Sequence, residues 1–295
     1  MNEFLDAVAA HAFMRNALVT GVLASVACGV MGSFVVVKRI SYIAGGIAHC
    51  VLGGIGAALY LERAHGWEAL DPMHGALVAA LAAAIVIGLV SLKARQRVDT
   101  VIGAVWAIGM AAGILFLSRT PGYGEDLMSY LFGNILMVTG SDLWLMVALD
   151  AVIVIAVALL FKQLQSVCFD EEFSKVRGLN VDLLFVFLLI LTALTIVLLV
   201  TVVGIVMVIA LLTIPAAIAG HFTNRLSHMM GASVVVSVLL TTGGLALSYE
   251  PDLPAGATII VLAGATYLVM AVVFGARRRR SRMDRTGPAD RVVVE

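Results

Sequence analysis

His49 is the residue in this chain whose type and setting most plainly allow chemistry. It stands in the apolar run SYIAGGIAHCVLGGIGAA, and an ionisable side chain inside such a run faces a cavity or a partner. Gly45, His49 and Gly53 are spaced i, i+4, i+8 and share one stripe of a helix. Glycines on both sides of an imidazole let another backbone approach closely, or leave room for an ion to pass. His49 is therefore read two ways: as a transition-metal ligand, or as a histidine hydrogen-bonded across a helix interface. Cys50 is adjacent but points about 100° away on an ideal helix, which suits a small core residue. Asp150 sits mid-run in LMVALDAVIV and must be protonated, paired or facing water. A structural hydrogen bond and a place on an ion pathway both remain open for it. Pro215, in Thr213-Ile214-Pro215, removes a backbone donor and frees the carbonyl of Leu211. Broken helices of this kind line substrate paths in transporters, and a tolerated kink is the plainer alternative.

A second group of chemistry-bearing residues lies in Cys168 to Leu179, CFDEEFSKVRGL, the one long polar interruption in the second half of the chain. Asp170, Glu171, Glu172, Lys175 and Arg177 each cost about 2.5–3.5 kcal/mol at the centre of a lipid-embedded helix, so this segment leaves the bilayer. Glu171 to Val176 are good helix formers, and Gly178 stands where a short helix would end on a left-handed residue. The segment reads either as a solvated loop or as a short helix on which a soluble partner docks. His65 and His74 flank Asp71 and could collect cations, although exposed loop histidines seldom do anything specific; His221 and His228 receive no role.

The elements that must hold these residues are membrane spans. The chain has 295 residues, 61% hydrophobic and only 13% charged, against about 25% charged in soluble domains. The fold class is an all-α, polytopic transmembrane helical bundle, a single transmembrane domain over residues 1–295. At about 20 residues per span, candidates run Ala17–Val37, Tyr42–Leu61, His74–Leu92, Thr100–Leu117, Leu143–Phe161, Leu183–Leu199, Gly204–Phe222, Gly231–Leu247 and Thr258–Phe274. That gives nine, within a range of eight to ten, and the boundary near Thr201 to Gly204 is the weakest because no charge marks it. Residues 1–15 form an interfacial segment, 163–182 a cytoplasmic segment and 276–295 a disordered basic tail lying against anionic headgroups. In the long outer loop, Leu127 to Val138 is apolar but too short to span and should lie against the outer face.

With the Cys168 segment in the cytoplasm, Lys38, Arg39, Lys93, Arg95, Arg97, Lys162, Lys175, Arg177, Arg225 and the tail arginines all fall inside. Only Arg15, Arg63 and Arg119 fall outside, and parity places the N-terminus outside too. The N-terminus, MNEFLDAVAAH, lacks the basic start of a signal peptide, so the first span directs insertion itself. Three scattered cysteines make neither a disulfide framework nor a CxxC metal motif. The chain contains no GxxxxGK[ST] phosphate loop, no HExxH pair and no GxSxG elbow, which leaves ATP hydrolysis by that loop, metalloprotease and serine-hydrolase functions without support.

Four pieces, in order, resemble the metal-ion permeases of bacterial ABC importers of the zinc and manganese type. They are VVKRISYIAGGIAHCVLGG (36–54), SYLFGNIL (129–136), CFDEEFSKVRGL with VVGIVMVIALLTIPAAIAG (168–179 and 202–220), and LSYEPDLPAGATIIVL (247–262). The resemblance implies a multi-pass protein of the bacterial inner membrane that pairs with a second copy or close homologue. It implies two cytoplasmic ATP-binding subunits docked on Asp170 to Gly178 and an extracytoplasmic metal-binding protein; nothing points to nucleic acid. No resident cofactor is expected, only Zn2+ or Mn2+ as cargo. In that family the second span carries an Asp and a His four residues apart; His49 matches, whereas the Asp position is Gly45 and a usual proline is Gly53. Loss of the carboxylate removes the hard oxygen that manganese prefers, so a histidine site, one His49 per protomer, leans to zinc. The competing expectation is an ion-coupled carrier or channel using Asp150 and His49 as a relay without an ATPase; an intramembrane enzyme is a third.

Overall fold

The computed structural model describes residues 2–67, 70–93, 98–121, 133 and 135–285. Its helices are α1 (Asn2–Ala10), α2 (Ala12–Val37), α3 (Ser41–His65), α4 (Pro72–Lys93), α5 (Val98–Arg119), α6 (Gly140–Phe169), α7 (Glu171–Val176), α8 (Val181–Val203), α9 (Ile205–Gly220), α10 (Leu226–Tyr249) and α11 (Ala255–Arg285). No strand occurs among the described residues. Eight of these helices are long and apolar enough to cross a membrane. Each of the nine expected spans has its helix, but α9, with 16 residues, is shorter than the rest. At 1.5 Å per residue it rises about 24 Å, less than the roughly 30 Å of a hydrocarbon core.

Local chemistry sets the helix ends. Thr139 and Asp142 form a reciprocal capping box at the start of α6. The Asn180 side chain accepts the amide N–H of Leu183 at the start of α8. Gly66 ends α3 with φ +69, a left-handed conformation that costs a residue with a Cβ.

Contacts between remote residues fix the direction of each rod. The Asn16 amide donates to the Val138 carbonyl (3.2 Å) near the start of α2, whereas Lys38, just past its end, reaches Val167 and Glu171. α2 therefore runs from the Val138 end of the bundle to the end that carries Glu171. Gly133 packs against Val203 and Gly204, which places the α8–α9 junction beside the segment that precedes α6. Ala216 and Ala219 of α9 cluster with Val36 and Val37 at the Lys38 end of α2. Hence α8 runs away from the Glu171 end and α9 returns towards it after a single intervening residue, Gly204 (φ +80). That residue is the unmarked boundary near Thr201 to Gly204.

α2 is central, touching α6, α8, α9 and α10, and α3 packs against both α4 and α5. The packing depends on close backbone approach. A Cβ on Gly32 would collide with the Leu212 carbonyl of α9. The outward faces of α6 and α11 carry exposed Trp144, Ile155, Leu159, Val261, Leu268 and Val272, as lipid-facing surfaces require.

The terminal segments differ from expectation in detail. α1 is a separate helix broken from α2 at His11, with Phe4 buried and edge-on to Tyr249. The tail expected to be disordered from residue 276 is helical through Arg285, because α11 continues past the apolar run. Ala and Arg are strong helix formers, and extending an existing helix avoids a new nucleus. Residues 286–295 lie outside the described residues, as do Arg95, Arg97 and the stretch 127–132 of the outer segment. The described end of that segment, a 3-10 turn at Ile135–Met137, buries Ile135 and Val138.

Candidate functional site

His49 lies on α3, half-buried, with its imidazole stacked on the indole of Trp106 from α5. The ring centroids are 4.3 Å apart and the planes differ by 13°. Nδ1 of His49 is buried and has no hydrogen-bond partner. The histidine is packed across a helix interface by stacking, and one nitrogen keeps its lone pair or proton unanswered. Leaving such a group unpaired costs about 1–3 kcal/mol.

The two flanking glycines do different work. A Cβ on Gly53 would come within 2.8 Å of the Gly109 carbonyl oxygen, so Gly53 serves close approach of the α3 and α5 backbones and leaves no passage. A Cβ on Gly45 would lie 3.6 Å from the Trp106 ring, so the indole fills the space above Gly45. Trp106 Nε1–H donates to Met110 Sδ (3.1 Å), and the Tyr42 ring flanks the indole at 5.9 Å. Cys50 donates its thiol to the Val105 carbonyl (3.2 Å), consistent with a core role. Trp106 and Met110 went unnoticed in the sequence, although an indole among the small residues of GAVWAIGMAAG is a visible signal.

Asp150 is 5% exposed on α6, and neither carboxylate oxygen has a hydrogen-bond partner. It is thus neither paired nor facing water, and the structure does not bring it to the α3–α5 interface that holds His49. Pro215 is buried inside α9, which continues through it from Ile205 to Gly220. The interruption expected at Pro215 falls instead at Gly204, where a positive φ ends one helix and the next begins. His65 packs edge-on to Tyr60, Asp71 accepts the Met73 amide N–H, and His74 is exposed. No group of three or more His, Cys, Asp or Glu that could hold a metal occurs among the described residues.

The polar segment forms α7 over Glu171–Val176, the span that its helix formers suggest. Asp170 is its N-cap, accepting the Phe173 amide N–H at 2.9 Å. Gly178 closes it with φ +78. Ser174 is fully buried, donating to the Asp170 carbonyl (2.6 Å) and pairing with Ser166 Oγ (2.7 Å), which pins α7 to α6. Glu171 is ion-paired with Lys38, whose Nζ also donates to the Val167 carbonyl (2.9 Å). Three of the five residues proposed for docking, Asp170, Glu171 and Gly178, thus hold the segment together. Glu172 and Lys175 remain exposed, beside Phe173 (54% exposed) and Val176 (87%). The short helix is thus pinned on one face, and Phe173 and Val176 leave apolar side chains exposed elsewhere on it.

The comparisons agree with this arrangement. An uncharacterized membrane protein of Synechocystis sp. is 44% identical over 88% of this chain and 90% of its own length. The manganese transport system membrane protein MntC of Listeria monocytogenes is 33% identical over 90% of this chain and 92% of its own. Among solved structures, PsaBC from Streptococcus pneumoniae in complex with Fab superposes with a TM-score of 0.80 at 30% identity, covering 92% of this chain and 95% of that one. The ABC 3 transport family pattern matches residues 10–274. A bundle of apolar helices with a short pinned polar helix and a histidine on its second long helix therefore belongs to the ABC 3 transport family, as a multi-pass permease subunit of metal transport.

Proposed function

We propose that this chain imports zinc as the membrane subunit of an ATP-driven importer, working by alternating access. The observation that carries the choice of metal is the donor set on α3: an imidazole with an unanswered buried Nδ1, and no carboxylate at position 45. Imidazole suits zinc, whereas manganese is better held by carboxylate and water oxygens. Family membership implies ATPase and solute-binding partners. Two ATP-binding subunits dock on α7, and a metal-binding protein delivers the ion at the outer ends of the helices. The chain hydrolyses no ATP itself, since it lacks the phosphate loop. It holds no resident cofactor; the metal is cargo. A second copy of the chain supplies the other half of the pathway in the bacterial inner membrane.

A manganese reading is favoured by a different observation: MntC of Listeria monocytogenes carries that metal in its name. Uptake into proteoliposomes containing the assembled transporter, with zinc, manganese and iron in competition, separates the two. Zinc is expected to suppress manganese uptake when the two are equimolar, and His49→Ala is expected to abolish uptake with assembly intact. Manganese outcompeting zinc would overturn the choice of metal. Undiminished uptake by His49→Ala would remove His49 from the pathway.

A further inference from the structure

Trp106 is not needed to close the α3–α5 interface, which Gly53, Gly109 and Gly113 already bring to backbone contact. Its ring instead lies flat against the imidazole of His49, at 4.3 Å and 13°. The indole is itself held, because its Nε1–H donates to Met110 Sδ one turn further along α5. It also occupies the space above Gly45, where any side chain longer than a methyl would run into the ring. The stack covers a face of the imidazole and leaves its edge, where the nitrogens lie, clear of the indole. Nδ1 on that edge is buried without a partner.

We propose that Trp106 is the positioning and specificity-determining residue of the His49 site, orienting the imidazole edge for a divalent transition-metal ion and excluding an oxygen ligand from position 45. The inference rests on the reading of His49 as a pathway residue. Met110 sets the rotamer of the indole, the indole sets the plane of the imidazole, and the ion is met by a nitrogen donor. The soft thioether stands at the Nε1 edge of the indole. An ion bound at the imidazole edge alters the electronic surroundings of the stacked indole, so Trp106 reports its own occupancy.

The chain has three tryptophans, and Trp67 and Trp144 are both exposed. In the full-length Trp67→Phe/Trp144→Phe protein, in detergent, Trp106 is the sole indole. Its emission is expected to change on titration with zinc chloride, over the concentrations that saturate uptake by the assembled transporter. Adding His49→Ala should abolish that change. In transport, Trp106→Leu fills the volume but cannot stack; it is expected to raise the apparent KM for zinc about tenfold, whereas Trp106→Phe stays within about twofold. Emission indifferent to zinc, emission that still responds in His49→Ala, or an unchanged KM for Trp106→Leu would each overturn the proposal. If His49→Ala itself transports normally, the pathway reading fails with it. If His49→Ala is inactive while Trp106→Leu is normal, only the role of Trp106 fails.

Discussion

At the scale of single residues, two glycines on one stripe of α3 illustrate what spacing can and cannot tell. Their i, i+4, i+8 relation to His49 was legible, because helical periodicity is local. Their separate duties were not, because each depends on which residue of α5 lies opposite, some sixty positions away. Gly53 faces a carbonyl oxygen and Gly45 a ring edge. Gly45→Ala is therefore expected to be tolerated or to stabilise by about 0.5–1 kcal/mol through helix propensity. Gly53→Ala should destabilise by about 1–3 kcal/mol, since neither backbone can yield. Thermal unfolding of the purified variants measures both, and equal tolerance at the two positions would contradict the α3–α5 packing. The same limit hid the isolation of Asp150: the sequence shows a carboxylate in an apolar run, but only the packed bundle shows both oxygens without partners.

At the scale of elements, α7 was the most legible piece. Its cap, its helix formers and its left-handed glycine all lie within nine consecutive residues. The Lys38–Glu171 pair was illegible, because 133 positions separate its members. Lys38 follows α2 directly, and only Arg39 (φ +60) and Ile40 separate it from α3. The pair thus ties α7 to the start of the helix that carries His49. Lys38 is largely buried, with its side chain 12% exposed, and Glu171 is half exposed, so the link is worth about 1 kcal/mol after screening. Its mechanical consequence is larger than its energy. Lys38→Glu is expected to leave ATPase activity of the assembled complex while cutting transport per ATP. The swap Lys38→Glu with Glu171→Lys should restore much of the coupling. Failure of the swap to recover any transport would show that the pair is incidental.

At the scale of the whole molecule, the sidedness of Lys and Arg and the count of apolar runs defined the bundle. What they could not supply was the shortness of α9, because no charge marks its start. The exposed Phe173 and Val176 give the molecule an apolar tip in water, apart from its lipid-facing sides. Phe173→Asp with Val176→Asp is expected to eliminate co-purification of the ATP-binding subunit while the permease remains monodisperse and folded. Persistent co-purification would place the contact elsewhere.

Gly204 carries one more consequence. Two rods joined by a single-residue elbow, with Gly133 pressed against the joint, behave like tongs. Their joined ends stay together whatever the free tips do. Any widening between α8 and α9 must then take the form of a wedge that tapers towards Gly204 and opens at the far tips.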